Sequence, residues 1–404
     1  MRIGYSLFIL FLTGIVTGLP GKYSAQVLDN AVLSQQVQPI VQQIFDLQHR
    51  DADNALAALK PSYPNDPAIP LLQALNRFWQ TELSWKDPRF YDYIIDHLDE
   101  AVEKNEAFED QSRFAKSYEF VAFMSHAVAA RLYYFRESDW RSVNEARKII
   151  YHLEPAIELA AGSPELSLVA GLYHYYSISY PRDKSYLRPF MAFFPDGDIA
   201  KGLKELEYAA NTSNIGQAQS LYYLTDIYLM EYGQVIDALR TSQQLHELFP
   251  HNTLFHADYI RVLVHGKRFS QAKQECDAIR QVFEAKSGAD SRVITSSETR
   301  YTSQVMIRIY HYLGQIAYHG NGNAALAKDW LLKSQQMSTF AGMERDKYTA
   351  NNYFYLGLCE DKLGNRSAAL TYYELAQDHP EGHSITQDVE ECEGSPCTTY
   401  SLDE

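Results

Sequence analysis

Cysteine is scarce, four in 404 residues, so neither a disulfide framework nor a thiolate cluster can hold this fold together. Positive charge is short as well. Lys and Arg number 36 against 51 Asp and Glu, and a formal charge of -15 repels phosphate backbones, which leaves nucleic acid out as a partner. Beyond the first 20 residues no apolar run is long enough to cross a bilayer. Strand-like alternation is almost missing after Ala31. The chain contains no H-E-x-x-H, no G-x-S-x-G and no P-loop. Gly320 to Ala325 spells G-x-G-x-x-A, but it follows a helical pattern where a dinucleotide site needs a strand, so no nucleotide cofactor is expected, nor any other.

What is present is helical period. Apolar residues recur three and four apart from Val37 onward, broken by short clusters of Pro, Gly, Asn and Asp. Eight helix pairs can be drawn, from Val37–Phe45 with Ala55–Leu59 to Asp346–Lys362 with Ser367–Gln377. The last two pairs repeat a frame, G-N-x-x-A-A-L, at Gly320–Leu326 and Gly364–Leu370, with Leu331 and Leu375 equivalent beyond it. A repeated turn-into-helix unit predicts a stack of pairs rather than one closed core. Asp198, Asn323 and Ser367 suit the N-cap positions of second helices.

The ends read differently. Arg2, the run Leu7–Leu12 and the small residues Gly18, Gly21 and Ala25 predict an export signal over residues 1–25, with the helical domain over 26–379. Residues 380–404 are acidic and expected to be disordered. Cys276 and Cys359 fall in helices as buried thiols, whereas Cys392 and Cys397, five apart in the tail, can close a local disulfide or stay reduced. His379, His383, Cys392 and Cys397 do not match a zinc-finger spacing, and Asp196 with Asp198 is too sparse for calcium, so no metal site is expected.

The last pair resembles a tetratricopeptide repeat: Tyr353, Leu356, Gly357, Ala369, Tyr373, Ala376 and Pro380 fall at or within one position of that framework. Weaker marks sit at Ala238 and Pro250, at Ala272, and at Gly314 with Trp330. The run from Gly171 to Tyr176, with Pro181, Leu187–Phe190, Gly197 and Gly202–Ala210, is similar to exported bacterial tetratricopeptide proteins and distantly to the tetratricopeptide-39 group. The resemblance implies an all-α, right-handed α-solenoid of about eight antiparallel pairs whose first helices line a concave wall. Carried onto this chain it places Tyr175, Tyr176, Tyr223, Arg308, His311, Gln315, Tyr318, His319 and Phe354 on that wall as ligand-contact candidates. The insertion at 181–198 adds Arg182, Lys184 and Arg188 as a cationic patch that either gates the groove or only packs on it.

The function that follows is non-enzymatic: an exported scaffold, periplasmic or secreted, that holds a protein or peptide partner in its groove within an envelope complex. The 30 tyrosines motivate a second reading as a glycan-binding protein, since flat rings stack on sugar faces. An uncharacterised hydrolase is third.

Overall fold

Asn30 opens the first helix by accepting hydrogen bonds from the amides of Val32 and Leu33 at 2.9 and 3.1 Å, which satisfies donors that no preceding turn can reach. From there Leu33, Val37, Ile40, Val41 and Ile44 fall on one buried stripe. The same logic repeats along the chain. A computed structural model describes residues 27–83, 88–136, 138–183, 195–287, 297–382 and 385–400. The proposed export signal, Lys184, Arg188 and His383 lie outside the described residues.

Among the described residues every regular element is helical. The helices pack as adjacent pairs: α1 (Ala31–Phe45) with α2 (His49–Leu59), α3 (Ala68–Leu83) with α4 (Tyr91–Glu106), α5 (Ala115–Phe135) with α6 (Asp139–Leu159), and α7 (Pro164–Asp183) with α8 (Ile199–Thr212). The second half continues with α9 (Gln217–Asp226) and α10 (Val235–Leu248), α11 (Thr253–His265) and α12 (Phe269–Ser287), α13 (Ser297–Gln315) and α14 (Ala324–Ala341), and α15 (Lys347–Lys362) and α16 (Arg366–Gln377). Each second helix also touches the first helix of the next pair. Single π turns, Ile227–Glu231 and Ile316–Gly320, extend α9 and α13.

Two close approaches explain glycines that the pattern alone could not rank. In the fourth pair α7 and α8 meet backbone to backbone: a Cβ on Gly202 would lie 2.8 Å from the Gly171 carbonyl oxygen, and one on Gly171 would lie 2.9 Å from the Leu206 amide nitrogen. In the last pair the ring of Tyr373 fills the space over Gly357, so that an added Cβ would stand 2.3 Å from its Cε1. Of the anticipated caps, Asp198 accepts from Lys201 N at 3.0 Å and Asn323 from Leu326 N at 3.0 Å. Ser367 does not cap, because α16 starts two residues before a Ser367 cap would allow, with Asn365 at the cap position.

The first two pairs do more than begin a row. Asp46, at the end of α1, accepts the His251 amide at 2.8 Å and meets His251 Nδ1 at 2.6 Å, while Asn252 Nδ2 donates to the Phe45 carbonyl at 2.7 Å. Phe45 packs on Phe249 and Trp79, and Trp79 on Phe255, with ring centroids 5.9, 5.1 and 6.2 Å apart. Asn214 Nδ2 reaches Ser34 Oγ at 3.1 Å. The start of the chain is therefore stapled to its middle across about 200 residues, and one apolar core runs from Val27 to Tyr348. In a stack where pairs touch only their sequence neighbours such contacts do not arise.

The tail departs from the expectation of disorder. Thr386–Gly394 forms a further helix, α17, with Val389 and Cys392 buried against the last pair, and Cys392 is disulfide-bonded to Cys397. Arg366 anchors it, donating to the carbonyls of Cys392 and Glu393 at 2.8 and 2.7 Å while pairing with Asp361 at 2.8 Å. Cys276 and Cys359 are free and buried.

Candidate functional site

The wall candidates divide sharply by burial. Tyr175, His311, Gln315, Tyr318 and Phe354 are buried in the core, which corrects their placement on a ligand-facing surface. For α13 and α15 the reason is that neighbouring helices bury them nearly all round, polar side chains such as Gln304, Asn352, Glu360 and Asp361 included. His311 Nδ1 donates to Asn352 Oδ1 at 2.8 Å, and Asn352 donates in turn to Ser334 Oγ at 2.8 Å. Burial holds its imidazole down at about 4. His319, partly buried, meets the Tyr355 hydroxyl at 3.1 Å and is likewise held at about 4.

Arg308 joins an internal charged array. Its guanidinium lies 5.4 Å from the Tyr348 ring centroid and 3.9 Å from Asp258, which also lies 3.8 Å from Arg261. Arg261 pairs closely with Asp226, and the Tyr312 and Tyr348 hydroxyls share a 2.8 Å hydrogen bond. Two arginines face two aspartates, so the array is neutral by itself and ties α9, α11, α13 and α15 together. Nothing in it pairs a nucleophile with a base. Tyr176 and Tyr223 are half-buried and pack edge to face at 6.2 Å. Arg182 is exposed and pairs with Glu231 at 2.7 Å, so the described part of the cationic patch is partly neutralised.

The surface that does stand out lies on α6. Trp140 is 73% exposed, Tyr151 79%, Val143 51% and Ile150 44%, with Tyr134 at the end of α5 66% exposed. With exposed Arg147 between Val143 and Ile150, these α6 side chains follow three- and four-residue spacing along the face opposite Leu153 and Ala156. The buried side of α6 carries Leu153 and Ala156, and is fixed by His126 with Glu145 at 2.7 Å and His152 with Glu119 at 2.9 Å. Exposed Arg141, Arg147 and Lys148 surround the first half of the stripe, and exposed Glu154 and Glu158 continue it. A signal was present in the sequence: α6 carries two apolar stripes where a helix of a simple pair needs one.

For metals, the tail set is dissolved, because its two thiols are joined and His379 Nε2 is bonded to the Glu344 carbonyl at 2.6 Å. Among the described residues one other group of potential ligands converges: His246, His256 and Glu275. No helix among the described residues is long and apolar enough to cross a membrane. No family model and no curated protein matches this chain.

Proposed function

We propose that this is a non-enzymatic binding protein, built as a tetratricopeptide-like right-handed superhelix and exported to the cell envelope, that holds a polypeptide partner on the outward face of α6. The observation that carries this reading is the exposed stripe of Trp140, Val143, Ile150 and Tyr151. Large rings left in water on one helix face are the usual mark of a docking surface, and Trp, Tyr and Arg are the residues that dominate such surfaces energetically. The charge order specifies the occupant: a partner helix whose apolar residues match the stripe, with acid opposite Arg147 and base opposite Glu154. The burial of Tyr175, His311, Gln315, Tyr318 and Phe354 supports looking for the partner surface on α6 and not on the wall that the repeat resemblance implies.

The test places a photoreactive residue at Val143 in the full chain, identifies the adduct and reconstitutes binding with the purified partner. Trp140→Glu with Tyr151→Glu should weaken that binding by about 30-fold or more, the loss expected for hot-spot residues. Glycan capture without a polypeptide adduct would replace this reading by the glycan-binding one. An adduct with a second copy of the chain would make the stripe a self-association surface and end the scaffold reading.

A further inference from the structure

We infer that His246, His256 and Glu275 form a binding site for a single divalent transition-metal ion, zinc by its donor set. The inference does not depend on the α6 surface. The three side chains come from three successive helices: His246 from the last turn of α10, His256 from the first turn of α11, and Glu275 from α12. One potential ligand atom from each lies within 4.8 Å of the others, close enough for modest side-chain rotation to gather them on one ion. Two imidazoles and a carboxylate make a set that takes zinc with a fourth position open to water, and it contains no hard all-oxygen cage that would favour calcium or magnesium.

A second observation points the same way. His246 Nδ1 is buried without a hydrogen-bond partner, a vacancy that costs free energy unless something fills it. The other two groups already meet, His256 Nε2 lying 2.8 Å from Glu275 Oε2. Both imidazoles are pushed below their ordinary range, His246 by burial and by its neighbour His256, and His256 by burial in opposition to Glu275. The rings are stacked at 4.0 Å with planes 21° apart, so the ion enters as one ring turns about its Cβ–Cγ bond and the His256 proton moves to its other nitrogen. Tyr259 caps the assembly, its ring 5.7 Å from His246 and its hydroxyl accepting from Gln271 Nε2 at 2.8 Å. An ion here would fasten the second helix of the fifth pair to both helices of the sixth, and its binding free energy would add to their stability.

The free thiols do not compete. Cys276 and Cys359 are buried and their pKa values pushed up, Cys359 to about 12, so neither supplies a thiolate. Zinc chloride titrated calorimetrically into the full, chelator-stripped chain should bind one ion per chain and raise its melting temperature. Cobalt(II) should give the visible spectrum of a four- or five-coordinate ion. His246→Ala should abolish both signals, and Glu275→Gln, which preserves shape, should weaken binding by at least about tenfold, the smallest loss produced by removing even an outer partner of a metal ligand. Circular dichroism in chelator checks that the variants fold. Zinc uptake with unchanged affinity in the folded Glu275→Gln and His246→Ala chains, or no uptake by the wild type, would overturn the assignment.

Discussion

At the scale of single residues, His311 shows how a polar group in the core sets the response to acid. Its folded-state pKa is about 4, against an ordinary 6.5, because burial disfavours the imidazolium and the bond to Asn352 only partly offsets this. Between those two values the unfolded chain binds a proton that the folded chain refuses, so stability is complete above 6.5 and falls as the pH drops toward 4. The loss from this residue approaches about 3 kcal/mol, the equivalent of its shift. His265 is also held at about 4 and contributes to the same limb, as does His319 to a lesser extent because it is partly exposed. Urea unfolding at a series of pH values should therefore show a shallower acid limb for His311→Gln than for the wild type. Equal slopes would mean that His311 is protonated in the folded protein.

At the scale of elements, α17 is held by very few groups. Beyond Val389 and the disulfide, its C-terminal end is gripped by Arg366, and Asp361 receives Arg366, the Tyr373 hydroxyl at 3.0 Å and the Cys397 amide at 2.9 Å. Removing the guanidinium leaves Asp361 buried with a charge that is no longer balanced. Arg366→Met should increase amide exchange across 386–394 while leaving α15 protected, and it should lower global stability by about 3 kcal/mol or less. Unchanged exchange over 386–394 would show that apolar contacts alone dock this helix.

The helix was hard to read in the sequence for a physical reason. Thr386–Gly394 is short and acidic, and its few apolar contacts become favourable only on a surface already built by the preceding pair. The pairs themselves were legible, since each helix keeps a buried stripe at helical spacing and the breaks fall at Asn, Gly and Pro. The α6 surface is half legible: helical period runs through it, but nothing local separates Trp140 and Tyr151 from rings that pack in the core. The contact between Asp46 and His251 leaves no local periodicity at all, and the burial of Tyr175 and His311 is equally silent in the sequence, because it depends on how closely the neighbouring pairs pack over them.

At the scale of the whole molecule, that contact decides how the halves cooperate. Asp46 is buried and holds both the amide and the ring of His251, whereas Asn252 also caps α11 by accepting from Leu254 and Phe255 at 3.1 and 3.2 Å. Asp46→Ala therefore tests the staple without removing a cap. It should cost about 2–3 kcal/mol, the worth of hydrogen bonds to a charged group, and raise exchange at α1 and at His251 together. Loss of protection at only one of the two would mean that they open independently. If this staple holds the first pairs against the middle of the chain, small-angle scattering of the variant should also show a larger radius of gyration.

The staple has a consequence for the order of events at the ribosome. Leu33, Val37, Ile40 and Phe45 emerge early, yet the partners that Phe45 and Trp79 need, Phe249 and Phe255, are translated about 200 residues later. Until then Phe45 and Trp79 can pack on each other but lack the cover that Phe249 and Phe255 provide, leaving apolar surface open on the growing chain. A protein whose opening segment must wait for its middle cannot lock that segment in place until residues 249–255 have been made.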